Sequence, residues 1–205
     1  MLPLEIEKRI ENPGLLENQF IQYLIAGNWP IDQSKSIAYE VLTDYRNVSG
    51  RTNAQFFTGT FVQAQTNIRG SYVRPQGEHF VIYGIRIYYA TFDGSFNAQN
   101  LTWKKASYTA NNFANPPIDN PLANCTYSIV NNGVQELKNM PFLMHDNTLV
   151  TDDRGTLYLN QPICWAGQTE LVLSVRTNDP ANAFSGDGQE TNALLRFDLV
   201  GIGLI

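Results

Sequence analysis

Histidine and cysteine are nearly absent from this chain, with two of each in 205 residues. A cupin-type metal centre needs two histidines close together on one strand, with a carboxylate and a further histidine. His79 and His145 stand far apart and neither belongs to a His-x-His unit. Both are expected at the surface or at a strand end, and metal catalysis is disfavoured. Cys125 and Cys164 are too few for a disulfide scaffold or a structural zinc site. Each sits in an apolar strand pattern, Cys125-Thr126-Tyr127-Ser128-Ile129 and Ile163-Cys164-Trp165. Buried free thiols acting as small hydrophobes are the expectation, with a mutual disulfide as the alternative.

Charge is scarce too. Charged residues make up 16% of the chain, against roughly 25% in soluble domains. Asn, Gln, Ser and Thr fill the polar share, Asn alone supplying about a tenth of the residues. The net charge is -5, and the densest basic runs are Lys104-Lys105 and Lys8-Arg9. Neutralising many phosphates needs far more, so direct nucleic-acid binding is not expected. No stretch has the length of a membrane-spanning helix. The opening Met1-Leu2-Pro3-Leu4-Glu5-Ile6-Glu7 has acidic residues where a signal peptide would be apolar, so folding in a reducing cytoplasm is expected.

Catalytic signatures are missing as well. The sequence holds no Gly-x-Ser-x-Gly, no His-Glu-x-x-His and no phosphate-cradling glycine loop with lysine. The expectation is a protein that is not an enzyme and carries no cofactor. One enzymatic alternative is a polysaccharide hydrolase with Glu136 and Asp152-Asp153 as its carboxylate pair. Asp179, Asp187 and Glu190 flank a glycine-rich loop, but their spacing fits no calcium loop. Sequons at Asn47, Asn100 and Asn124 are what an asparagine-rich chain produces by chance.

Alternation is what the chain does have. Leu171, Leu173 and Val175 fall on one face of a strand, with Glu170, Ser174 and Arg176 on the other. Leu195-Arg196-Phe197-Asp198-Leu199 repeats the pattern, and Val200 to Ile205 continues it as apolar chain that pairing must hold. Ile37, Tyr39 and Val41 alternate in the same way. Phe56 to Gln65 reads as a strand with a bulge at Gly59. His79 to Phe92 is apolar on both faces, with Val81, Tyr83, Ile85, Ile87 and Tyr89 on one of them, so it is expected to be central. Asn131-Asn132-Gly133 between two apolar runs predicts a type I′ hairpin. Tyr108 to Pro121 and Asn178 to Gln189 read as loops.

Residues 1–33 differ from the rest and read as an N-terminal arm, followed by a β-domain over 34–205. Asn12-Pro13-Gly14 starts a helix, about Pro13 to Ala26, that Gly27 and Asn28-Trp29-Pro30 end. Leu16, Phe20, Tyr23 and Leu24 form its apolar face. Together with Trp29 they are the candidate subunit-interface residues. Trp165 reads as core, while Trp103 is the candidate exposed platform for a sugar ring.

The stretch Gly155-Thr156-Leu157-Tyr158-Leu159-Asn160-Gln161-Pro162-Ile163 is followed by Gly167-Gln168-Thr169-Glu170-Leu171-Val172-Leu173. The close is Leu199-Val200-Gly201-Ile202-Gly203-Leu204-Ile205. Together with the long strand Phe80 to Tyr88, these segments resemble bacteriophage virion proteins, in the style of the jelly-roll capsid proteins of tailless icosahedral phages and of head-associated proteins of tailed ones. The resemblance covers about the last two-thirds of the chain and carries no diagnostic motif. It implies an all-β, jelly-roll-like antiparallel β-sandwich that self-assembles as a homo-oligomer with other virion proteins. Assembly would take place in the host cytoplasm and the final location would be the virion. Unlike many single-jelly-roll capsid proteins of RNA viruses, this chain lacks a basic arm, so genome contact would run through another protein or a nearby membrane layer. The alternative from another class is a trimeric spike, head-fibre or glycan-binding module of the virion, with a glycan receptor.

Overall fold

In the computed structural model, the described residues are 20–22, 24–28, 36–92, 104–105, 125–145, 156–177 and 192–204. They form an all-β sandwich of two antiparallel sheets. The strands are β1 (Ile37–Asn47), β2 (Asn53–Phe56), β3 (Phe80–Phe92), β4 (Lys104–Lys105), β5 (Cys125–Asn131), β6 (Val134–Pro141), β7 (Thr156–Trp165), β8 (Leu171–Thr177) and β9 (Asn192–Leu204). The first sheet runs β1-β9-β3, and both β7 and β4 lie along the far edge of β3. The second runs β2-β8-β5-β6.

Leaving the two-residue β4 aside, the pairing is nested. β1 pairs with β9, β2 with β8, β3 with β7, and β5 with β6. First meets last, and each inner pair repeats the relationship until a tight turn closes the innermost one. That turn is Asn132-Gly133, with φ of 48° and 78°, the two positive values a type I′ hairpin demands.

The core between the sheets follows from the alternation. Leu171, Leu173 and Val175 point inward from β8, and Ala193, Leu195, Phe197 and Leu199 from β9; all are buried. Phe56, Tyr127 and Phe142 close on Phe197 with ring centroids 4.8, 5.7 and 6.0 Å away. Edge and tilted contacts of this kind strengthen a core beyond the area they bury.

Two sequence expectations need correction here. The expected strand from Phe56 to Gln65 stops at Phe56, because Phe57 and Gly59 both take positive φ (59° and 78°) and turn the chain away from the sheet. A single turn of 3-10 helix follows at Gln63–Gln65. On β3 the simple odd-numbered face is broken by a register shift between Ile82 and Gly84. Phe80 and Ile82 therefore share the core with Ile85 and Ile87, while Val81 points to the opposite face. A bulge inserts one residue and exchanges the faces of everything beyond it.

The outer face of the first sheet is covered at one end by helical residues 20–22 and 24–26. Phe20 and Leu24 are fully buried there against Val81, Cys164, Ile202 and Leu204. The helix ends at a turn over Gly27 and Asn28, where Asn28 takes φ 53° and its N–H donates to the Ile25 carbonyl at 3.0 Å. Asparagine is tolerated in that left-handed position.

Candidate functional site

Where β1 turns toward β2, a buried carboxylate organises the surface. Asp44 is fully buried. It accepts hydrogen bonds from the Phe57 N–H at 2.7 Å and the Tyr72 hydroxyl at 3.0 Å. The Arg46 guanidinium reaches its Oδ2 at 3.1 Å. Arg46 also donates to the Thr58 carbonyl, the Tyr72 hydroxyl and Gln65 Oε1, at 3.0, 2.7 and 3.2 Å. Residues 57–72, which leave the sheet, are thereby fastened back onto β1. Burial is the largest influence on the Asp44 carboxyl and raises it above its ordinary 3.8, outweighing the opposing pull of Phe57, Arg46 and Tyr72. The same burial, beside the Asp44 charge, holds the Tyr72 phenol protonated well above its usual range.

Above this anchor lies an open cleft of about 760 Å³. Its wall is Arg46 with Thr58, Gly59 and Thr60; its floor is the outer face of the second sheet. The registers place Asn53 beside Arg176 and Arg176 beside Thr126. One row along, Gln55, Ser174 and Ser128 stand side by side. Arg51 and Arg176 also line the cleft, and among the described residues no Asp or Glu does. Two acids touch the lining from outside it: Asp44 holds Arg46, and Glu170 accepts from the Thr58 hydroxyl at 2.6 Å. Chemically the cleft offers cationic forks beside neutral hydroxyl and amide groups, a set suited to anions carrying hydroxyls.

The sequence did not point to this place. Of the candidate interface residues, Phe20 and Leu24 lie under this chain's own first sheet, and Leu16, Tyr23 and Trp29 fall outside the described residues. Trp103 and both expected loops also fall outside them, as do Asp152, Asp153, Asp179, Asp187 and Glu190. Glu136 is exposed on β6. Among the described residues, no group of three His, Cys, Asp or Glu could hold a metal ion. The expectation of surface histidines is overturned. His79 and His145 are 2% and 1% exposed. His145 ends the 3-10 turn Phe142–His145, and its Nε2 lies 3.0 Å from the Tyr127 hydroxyl in the core. His79 does stand at a strand end, but its Nδ1 is turned inward to accept from the Gly167 N–H at 3.3 Å.

Cys125 and Cys164 are free and buried. Cys125 faces the core between the sheets and Cys164 the opposite side of the first sheet. Burial pushes both thiols up to about 12, which makes them poor nucleophiles. Trp165 is fully buried, as read from the sequence, and its indole N–H donates to the Thr169 carbonyl at 3.0 Å.

No protein-family model, curated protein or solved structure matches the chain.

Proposed function

We propose that this chain is a structural subunit of a bacteriophage virion, a jelly-roll capsid protein that packs with copies of itself and with other virion proteins into a shell. The observation that carries the reading is the nested pairing of β1–β9, β2–β8, β3–β7 and β5–β6. The strand orders β1-β9-β3-β7 and β2-β8-β5-β6 are those expected when a long antiparallel ribbon is rolled up so that its paired strands alternate between two sheets, which supports a jelly-roll reading. Rolled sandwiches of this kind suit shells because their sides are strands and their ends are loops, which leaves flat faces for packing. The low charge of the chain supports the reading, since close packing of identical copies brings like charges together.

The role needs no catalytic residue and no cofactor. Its mechanism is burial of neutral polar and aromatic surface between copies, with symmetry repeating one contact around the shell. Tyr39 and Val41 on the outward side of edge strand β1, 49% and 36% exposed, are the apolar surface we assign to such contacts. The test is assembly of the purified full chain, imaged by negative-stain microscopy beside the variant Tyr39→Glu/Val41→Glu. Closed shells, or rings of five or six copies, that the variant fails to form would support the reading. Uniform single subunits from the unaltered chain would overturn it.

A further inference from the structure

The cleft over the second sheet does not enter the assembly role, and its chemistry is specific enough to argue from. Among the described residues, three arginines and no carboxylate line it, in a chain of net charge -5. Arg46 is engaged by Asp44 and by the loop it fastens. The side chains of Arg51 and Arg176 are different: both are exposed, and among the described residues neither makes an ion pair or a hydrogen bond. Arg176 is held in place all the same, because β8 lies between β2 and β5 and its register fixes Asn53 on one side and Thr126 on the other. Arg51 is positioned by the turn before β2, where its N–H donates to the Val48 carbonyl at 3.0 Å and Gly50 takes φ 65°.

The ligand class follows by comparing the demands of each candidate with what the cleft offers. An apolar ligand would need an apolar lining, and among the described residues the apolar ones there, Ala54 and Val175, are buried in the core between the sheets. Single-stranded nucleic acid needs aromatic stacking platforms along a basic track, and among the described residues the lining has no aromatic ring. A neutral sugar would likewise lack a ring to stack on among the described residues. A sugar bearing a carboxylate fits. A guanidinium takes a carboxylate through two parallel hydrogen bonds, and the row Gln55, Ser174 and Ser128 exchanges hydrogen bonds with ring hydroxyls in both directions. The volume of about 760 Å³ falls in the range of ligand clefts, roughly 300–1,000 Å³.

We infer that this cleft binds an acidic saccharide, with Arg51 and Arg176 holding its carboxylate and the Gln55-Ser174-Ser128 row reading its hydroxyls. The inference is independent of shell formation and holds for a single subunit as for an assembled one.

The experiment is an array of sialylated, uronate-bearing and neutral glycans probed with the full chain. Calorimetric titration follows, with a retained acidic glycan, its neutral counterpart and inorganic phosphate. Retention of acidic glycans alone is expected, with affinity falling roughly tenfold or more in Arg51→Ala/Arg176→Ala. Arg69→Ala, an exposed arginine outside the cleft, should leave it unchanged. Three results would overturn the inference: no acidic glycan retained, retention unaffected by the double substitution, or inorganic phosphate binding as tightly as the acidic glycan. Both arginines are exposed, so the double variant keeps its fold, and its melting curve verifies this.

Discussion

Phe197 of β9 meets Phe56 of β2 across the two sheets, ring centroids 4.8 Å apart and planes inclined at 59°. The contact joins a strand from the end of the chain to one from its first third, and Tyr127 and Phe142 pack against the same Phe197 ring. Phe197→Ala would leave a hole at the junction of four aromatic groups. The expected loss is about 3–5 kcal/mol of unfolding free energy, measured by denaturant titration; a loss below about 1 kcal/mol would contradict this packing.

Asp44 supplies a prediction with a sign. Its carboxyl is raised above 3.8, chiefly by burial, so between 3.8 and that raised value the folded chain holds a proton that the unfolded chain has released. The stabilisation from that proton is fully present below 3.8 and is lost as pH rises through the folded value. Stability of the unaltered protein relative to Asp44→Asn should therefore improve as pH falls from neutral toward 3.8. The opposite trend in paired melting curves would show that the ionised form is the favoured one.

Asp44→Ala is a separate matter, because it removes the acceptor shared by Arg46, the Phe57 N–H and the Tyr72 hydroxyl, and leaves the Phe57 N–H without its bond. Breaking a buried pair from one side costs roughly 3–5 kcal/mol. Residues 57–72 should loosen first, seen as faster amide exchange at Phe57, whose N–H bond to Asp44 is 2.7 Å long.

Gly201 faces the bulge of β3, and a methyl group there would lie 2.1 Å from the Val81 carbonyl oxygen and 2.7 Å from the Phe80 ring. No flexible side-chain end is available to yield to it at the carbonyl. Gly201→Ala is expected to destabilise by about 1–3 kcal/mol, whereas Ala at Gly70, which meets nothing within 4 Å, should cost only the strain of its positive φ.

Both thiols should be silent in the native state. With Cys125 and Cys164 buried and pushed up to about 12, a thiol reagent at mildly alkaline pH should label neither until denaturant is added. Rapid labelling of native protein would place at least one of them at the surface.

Much of the fold was legible because period-two alternation is a local signal. β8 and β9 have inward Leu171, Leu173, Val175, Leu195, Phe197 and Leu199, and the Asn132-Gly133 turn lies where its residue types demand. The bulge in β3 was not legible, since both faces of that strand are apolar and alternation carries no parity there. The strand expected after Phe56 failed because Phe57 adopts a positive φ that its residue type does not announce; the Asp44 carboxylate receiving its N–H supplies the reason. The cleft was invisible for a related cause. Arg51 and Arg176 lie far apart in the chain and come to line one cleft only because the β2–β8 register sets Asn53, two residues after Arg51, beside Arg176.

The central claim is that copies of this chain build a shell. Light scattering of the purified full chain across a wide concentration range tests it most directly. The account predicts a sharp rise from subunit mass to a large particle of fixed size above a threshold concentration. A mass that stays at the 23.1 kDa of one chain throughout would contradict it.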